Sequence, residues 1–127
     1  MTPIKQTIFS DKKNGIVGNC WQACVASLLD LRLEDVPHFC NSNSWPENYH
    51  KWLYDKNLVS IDFTINNDYQ LCYLGYHIIV GHSPRHAGIL HGVIGLNGEI
   101  CFDVHPDNTG LLESGRYTYT IIFPIRK

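Results

Sequence analysis

Cys20 is the residue of this 127-residue chain best placed to act as a nucleophile. It directly follows Asn19 and opens the run Cys20-Trp21-Gln22-Ala23-Cys24-Val25-Ala26-Ser27-Leu28-Leu29-Asp30-Leu31. Asn is favoured immediately before a helix, and Trp21, Cys24, Val25, Leu28 and Leu29 recur at three- and four-residue steps. The spacing predicts a buried helix with Cys20 in its first turn. Unpaired N–H groups and the helix dipole favour negative charge there, which suits a thiolate, the reactive form of cysteine. The competing reading is that Cys20 packs as a small apolar residue, since free cysteines are among the most buried residue types.

A thiolate nucleophile needs an imidazole beside it, and the imidazole needs a partner that fixes its tautomer. His91 opens His91-Gly92-Val93-Ile94-Gly95-Leu96. After Asn97-Gly98 comes Glu99-Ile100-Cys101-Phe102-Asp103. Asn-Gly between two strand-like runs is a strong hairpin signal. With a two-residue turn, Leu96 pairs with Glu99 and Asp103 points away from His91. With the three-residue turn Leu96-Asn97-Gly98 and Gly98 left-handed, Gly95 pairs with Glu99 and His91 lies across from Asp103. The second register also gathers Ile94, Leu96, Ile100, Phe102 and Val104 on one apolar face. The three-residue turn is therefore the expectation.

The elements that must hold these groups follow from pattern. Leu33 to Phe39 reads as a turn because Pro37 disfavours helix at Val36. Ser44-Trp45-Pro46-Glu47 matches a capping box and starts a second helix running to about Lys56, with Tyr49, Trp52 and Leu53 on one face. From Ser60 onward the signals are those of strands: Ile61 to Ile65, Tyr76 to Val80, Gly88 to Leu96, Glu99 to Val104 and Tyr117 to Phe123. Helices followed by an antiparallel sheet predict an α+β fold, and the length predicts one domain over residues 1–127.

Composition narrows the function classes. Ten Lys and Arg against 12 Asp and Glu give a formal charge of -2, with no long basic run, so nucleic acid is not an expected partner. No apolar run is long enough to cross a bilayer, and Met1 to Lys13 has no apolar signal core, so the expectation is a cytoplasmic protein without membrane insertion. Five cysteines without regular spacing fit free thiols rather than a disulfide framework. Seven histidines invite a metal reading, but Pro84 interrupts His82-x-x-x-His86 and no zinc motif accompanies them. No metal and no cofactor is expected.

Gly18-Asn19-Cys20-Trp21-Gln22-Ala23-Cys24-Val25-Ala26-Ser27-Leu28-Leu29, with Leu33-Glu34-Asp35-Val36-Pro37-His38-Phe39, resembles the cysteine region of small papain-like bacterial and phage proteins. These are akin to the peptidase domains that process double-glycine bacteriocin leaders on ABC exporters. His91-Gly92-Val93-Ile94 and Asp103-Val104-His105-Pro106 resemble the same group's His and Asp motifs, in the same order. The resemblance implies a papain-like fold, its N-terminal helical part carrying the Cys helix and its antiparallel sheet carrying His and Asp. It implies Cys20 as nucleophile, His91 as general base and acid, and Asp103 as the orienting carboxylate. It also implies a glutamine six residues before the cysteine as oxyanion donor. Asn14 stands there instead. Gln6 takes the role if Ser10 to Gly18 is an inserted loop, with Asn14 and Gln22 as alternatives.

The expected activity is hydrolysis of an amide bond in a peptide or protein substrate through a thioester. Deamidation, transpeptidation or cell-wall peptide cleavage on the same triad is an alternative, and so is a non-catalytic papain-like interaction protein. Substrate choice is expected in the loops Ser42 to Trp45, His82 to Ala87 and Asp107 to Ser114.

Overall fold

In the computed structural model, which describes residues 1–66, 68–113 and 116–126, the chain begins as an extended segment laid along its first helix. Thr2 N–H donates to Ser27 O, Ile4 N–H to the Ser27 hydroxyl, and Gln6 N–H to Val104 O. Helix α1 then runs over Cys20–Leu28, shorter than the pattern predicted. Asp30, just beyond it, has a positive φ of 56°. Trp21, Cys24 and Val25 are buried, as their spacing requires.

Two short 3-10 turns, Leu33–Asp35 and Phe39–Asn41, lead to helix α2 at Trp45–Tyr54, with Pro46 in its first turn. The expected capping box does not form. Ser44 occupies the cap position with ψ of 24° and no side-chain cap hydrogen bond, so its hydroxyl is not set at the extended geometry that reaches the first-turn N–H groups. Aromatic edges join the helices: the ring of Tyr49 lies 5.5 Å from Trp21 and 5.4 Å from Phe39.

Five strands follow: β1 (Leu58–Ile65), β2 (Tyr76–His82), β3 (Leu90–Leu96), β4 (Glu99–Phe102) and β5 (Tyr117–Pro124). They form one antiparallel sheet in the order β1-β5-β2-β3-β4. The helices cover one face, where Cys24, Val25, Tyr49 and Leu53 meet Ile78, Ile94 and Val104. On the other face Ile79, Val93, Leu111 and Tyr119 form a smaller cluster. The architecture is thus α+β, helices first and antiparallel sheet second. Ser114, at the end of the loop assigned to substrate choice, lies outside the described residues.

The β3–β4 hairpin differs from expectation in a way that matters for the site. Leu96 pairs with Glu99, so the turn has two residues, not three. Asn97 and Gly98 both have positive φ, 54° and 78°, the conformation whose twist matches the flanking strands. That register alone would turn Asp103 away from His91. A β-bulge reverses it: Gly95 pairs with Ile100 but Ile94 pairs with Phe102, leaving Cys101 as an extra residue. Beyond the bulge, Phe102 shares the face of Ile94, so Asp103 falls on the face of His91. The bulge also separates Ile100 from the predicted apolar set. It is exposed, whereas Ile94 and Val104 are fully buried.

Candidate active site

Cys20 is half-buried at the head of α1, and the segment before it is fixed by close approach and by one amide. A Cβ on Gly18 would stand 2.7 Å from Ser10 Oγ and 2.9 Å from Ser10 N, so only glycine lets the two segments cross. Asn19 is buried and occupies the cap position, but its side chain does not cap. Its Oδ1 instead accepts from Thr7 N–H (3.0 Å) and Ile8 N–H (2.8 Å), and its Nδ2 donates to Thr7 Oγ1 and Gln22 Oε1. The predicted cap is therefore a brace for the N-terminal segment. The cap side chain leaves the first-turn N–H groups of α1, including that of Cys20, uncovered for an anion.

His91 and Asp103 are brought together from β3 and from the segment just past β4. His91 Nε2–H donates to Asp103 Oδ1 at 2.7 Å, and both side chains are only 4% exposed. Two backbone groups hold the carboxylate as well: Oδ1 also accepts His105 N–H at 2.9 Å, and Oδ2 accepts Gly110 N–H at 2.8 Å. Lys5 Nζ clamps the same segment by donating to the carbonyl oxygens of Asp103 and His105. With Nε2 committed to Asp103, Nδ1 is the ring nitrogen left over, and the ring lines the same recess as the Cys20 thiol.

The electrostatics follow from this chain of partners. Burial pushes His91 down, but the hydrogen bond to Asp103 and the nearness of Cys20 and the Asp103 charge outweigh it, so its pKa lies above 6.5. Burial pushes Asp103 up, and the His91 ring N–H with the two backbone N–H groups outweighs that, so it lies below 3.8. Burial raises Cys24 well above its ordinary value and Cys40 to about 11, while Cys72 and Cys101 are exposed.

The three amides considered as oxyanion donors are placed very differently. Gln6 is buried and lines the recess that holds Cys20 and His91. Its Nε2 donates to Ile8 O, and its Oε1 has no partner. Residues 11–16 form a small hairpin bridged between Asp11 and Ile16, and Asn14 sits in its turn, donating to the Asp11 carboxylate. Asn14 is therefore not brought to Cys20. Gln22 is occupied elsewhere, its Nε2 donating to Leu33 O and Val36 O.

Arg85 and His105 also line the recess with Cys20; sequence reasoning named the His82 to Ala87 loop without singling out Arg85, and quoted His105 only within the Asp103-Val104-His105-Pro106 motif, with no role. Neither has helical or strand periodicity. The local cue was the density of turn residues in Ser83-Pro84-Arg85 and His105-Pro106-Asp107-Asn108. A second cavity of about 280 Å³, also lined by Cys20 and His91, is walled by Trp21, Cys40, Trp45, Asp62 and Leu90. Among the described residues, no three His, Cys, Asp or Glu side chains converge as a metal requires, and no helix is long and apolar enough to cross a membrane. Comparison with protein-family models, with curated proteins and with solved structures gave no match.

Proposed function

We propose that this chain is a papain-like cysteine hydrolase that cleaves an amide bond of a peptide or protein through a thioester on Cys20. One observation carries the reading. A thiol at the uncapped head of a buried helix lines one recess with an imidazole whose Nε2 is held 2.7 Å from a buried carboxylate that two backbone N–H groups also hold. Such a chain of nucleophile, base and orienting acid is what acyl transfer by cysteine needs. A purely structural Cys20 needs none of it.

The steps follow from the geometry. His91 Nδ1 takes the thiol proton, with the imidazolium stabilised by Asp103. The sulfur attacks the carbonyl carbon, and the oxygen takes up negative charge beside the Cys20 N–H and the Gln6 amide. The C–N bond breaks as His91 returns its proton to the leaving amine. A water then gives a proton to His91 and attacks the thioester, the C–S bond breaks, and the thiol is restored as the acid departs. No step requires a cofactor.

The experiment is digestion of a diverse peptide library by the wild type and by Cys20→Ala, with products read by mass spectrometry. New termini that appear only with the wild type support the hydrolase. Identical product sets argue against it.

A further inference from the structure

The two cavities that Cys20 lines differ in charge. The cavity that Trp45 lines carries one carboxylate, Asp62, and no Lys or Arg. On the Gln6 side the recess opens into a groove of about 830 Å³ whose lining includes Lys12, Lys13, Arg85 and His86. Its single acid, Asp11, already accepts from Asn14 at both oxygens. Arg85 lines both the recess and the groove, so it stands at their junction.

Arg85 is not a loose surface cation. Its side chain is 17% exposed. Nη1 donates to Asp107 Oδ1 at 3.0 Å and to Thr109 Oγ1 at 2.6 Å, and its backbone N–H donates to the buried Ser83 hydroxyl. Asp107 is itself fixed by the Thr109 N–H and hydroxyl, and its own N–H donates to His105 Nδ1. The guanidinium is thus tied to the segment that holds Asp103. A guanidinium has five N–H donors in a rigid fork. Only Nη1 is used, and among the described residues nothing accepts from Nε or Nη2. Those three N–H groups form the edge that grips a carboxylate with two parallel hydrogen bonds.

We propose that Arg85 is a specificity-determining residue that binds a carboxylate of the substrate, and that the segment running from Cys20 into the Lys12–Lys13 groove is an acidic peptide. This rests on the reading of Cys20 as nucleophile and names the substrate class of that site. Ile8, Phe9 and Ile16, exposed along the same groove, receive apolar side chains between the acidic ones. A pre-oriented guanidinium loses little freedom on binding, whereas Lys12 and Lys13 add longer-range attraction that salt screens.

Two alkylating peptides of equal shape test this, N-iodoacetyl-Glu-Glu amide and N-iodoacetyl-Gln-Gln amide, with iodoacetamide as the small neutral reference. Rates at Cys20 and at exposed Cys72 are read by peptide mass spectrometry. The acidic peptide is expected to modify Cys20 roughly tenfold faster than its amide twin, with no such preference at Cys72. Arg85→Met should remove most of the preference, read as the ratio of the two peptide rates at Cys20 within the variant. Lys12→Gln/Lys13→Gln, in an exposed hairpin, should reduce it and its salt dependence. Equal rates for the two peptides at a Cys20 that iodoacetamide still labels ahead of Cys72 would overturn the acidic substrate and leave the nucleophile standing. A preference that survives in Arg85→Met would overturn the role of Arg85. If iodoacetamide labels Cys20 no faster than Cys72, both readings fall together.

Discussion

His91 Nε2 and Asp103 Oδ1 meet at 2.7 Å because one extra residue, Cys101, is inserted into β4 opposite the Ile94–Gly95 step. Strand side chains alternate with a period of two, so a one-residue insertion changes the face of everything that follows. Deleting Cys101 should turn Asp103 away and carry buried Val104 outward, lowering Cys20-dependent turnover by about 100-fold or more. Cys101→Ser keeps the bulge at an exposed position and should behave as wild type. Turnover of the two variants on a cleaved peptide gives the comparison, and equal activity would show that the bulge does not position the acid.

Asp103 should matter to stability as well as to turnover. Asp103→Ala leaves buried His91 without its partner and strands the His105 and Gly110 N–H groups, a loss of about 3–5 kcal/mol by urea unfolding. Asp103→Asn keeps one acceptor but puts an N–H₂ group against one of the three donors. That variant lacks the negative charge beside the ring, so the His91 pKa should fall, as histidine proton resonances would report. The linkage has a definite sign. The contribution of wild-type His91 is fully present below 6.5 and is lost as pH rises through its raised folded value. That of Asp103 is present above 3.8 and is lost as pH falls through its lowered folded value. A His91 resonance that titrates identically in Asp103→Asn would break this account.

A different histidine controls stability in mild acid. His77 is fully buried beneath Tyr73 and Tyr119, with Nδ1 on Gly75 O at 2.9 Å and Nε2 unpartnered. Burial lowers its pKa, so the folded state keeps it neutral while the unfolded chain takes a proton below 6.5. Its contribution is present above 6.5 and is lost as pH falls toward its folded value. Unfolding free energy from pH 7 down to pH 5 should fall less steeply in His77→Leu than in wild type. Parallel slopes would remove His77 as the cause.

How much of this was legible beforehand depends on the range of the interaction involved. The α1 spacing from Trp21 to Leu28 and the strand runs at Tyr76 and Tyr117 are local patterns, and each produced its element. Asn19 and Ser44 have cap-type side chains, but neither caps. In Asn19 a tertiary demand, bracing Thr7 and Ile8, prevailed over the local preference. Cys20, His91 and Asp103 were readable as residue types in order. The route that joins two of them was not, because a bulge leaves no mark on hydrophobic alternation at Ile100-Cys101-Phe102. Arg85 and His105 sit in loops whose geometry is set by hydrogen bonds between distant segments, and periodicity cannot show these.

The oxyanion assignment separates two amides that the sequence left open. Gln6→Ala should lower kcat by about 10²–10³ with little change in KM, since the amide acts on charge that develops only in the transition state. Asn14→Ala, in the turn of the 11–16 hairpin, should leave both constants unchanged. Steady-state kinetics on one cleaved peptide distinguishes them, and the reverse pattern would return the role to Asn14.

The reactivity of the thiols themselves bears most directly on the whole account. Brief exposure to limiting iodoacetamide at pH 7, followed by site-resolved mass spectrometry, ranks all five cysteines in the wild type and in His91→Gln. Cys20 is expected to label first in the wild type, ahead of the more exposed Cys72, and to lose that lead by at least about tenfold in His91→Gln. A Cys20 that labels no faster than Cys72, or whose rate does not change when His91 is replaced, would contradict the claim that thiol and imidazole act as one reactive pair.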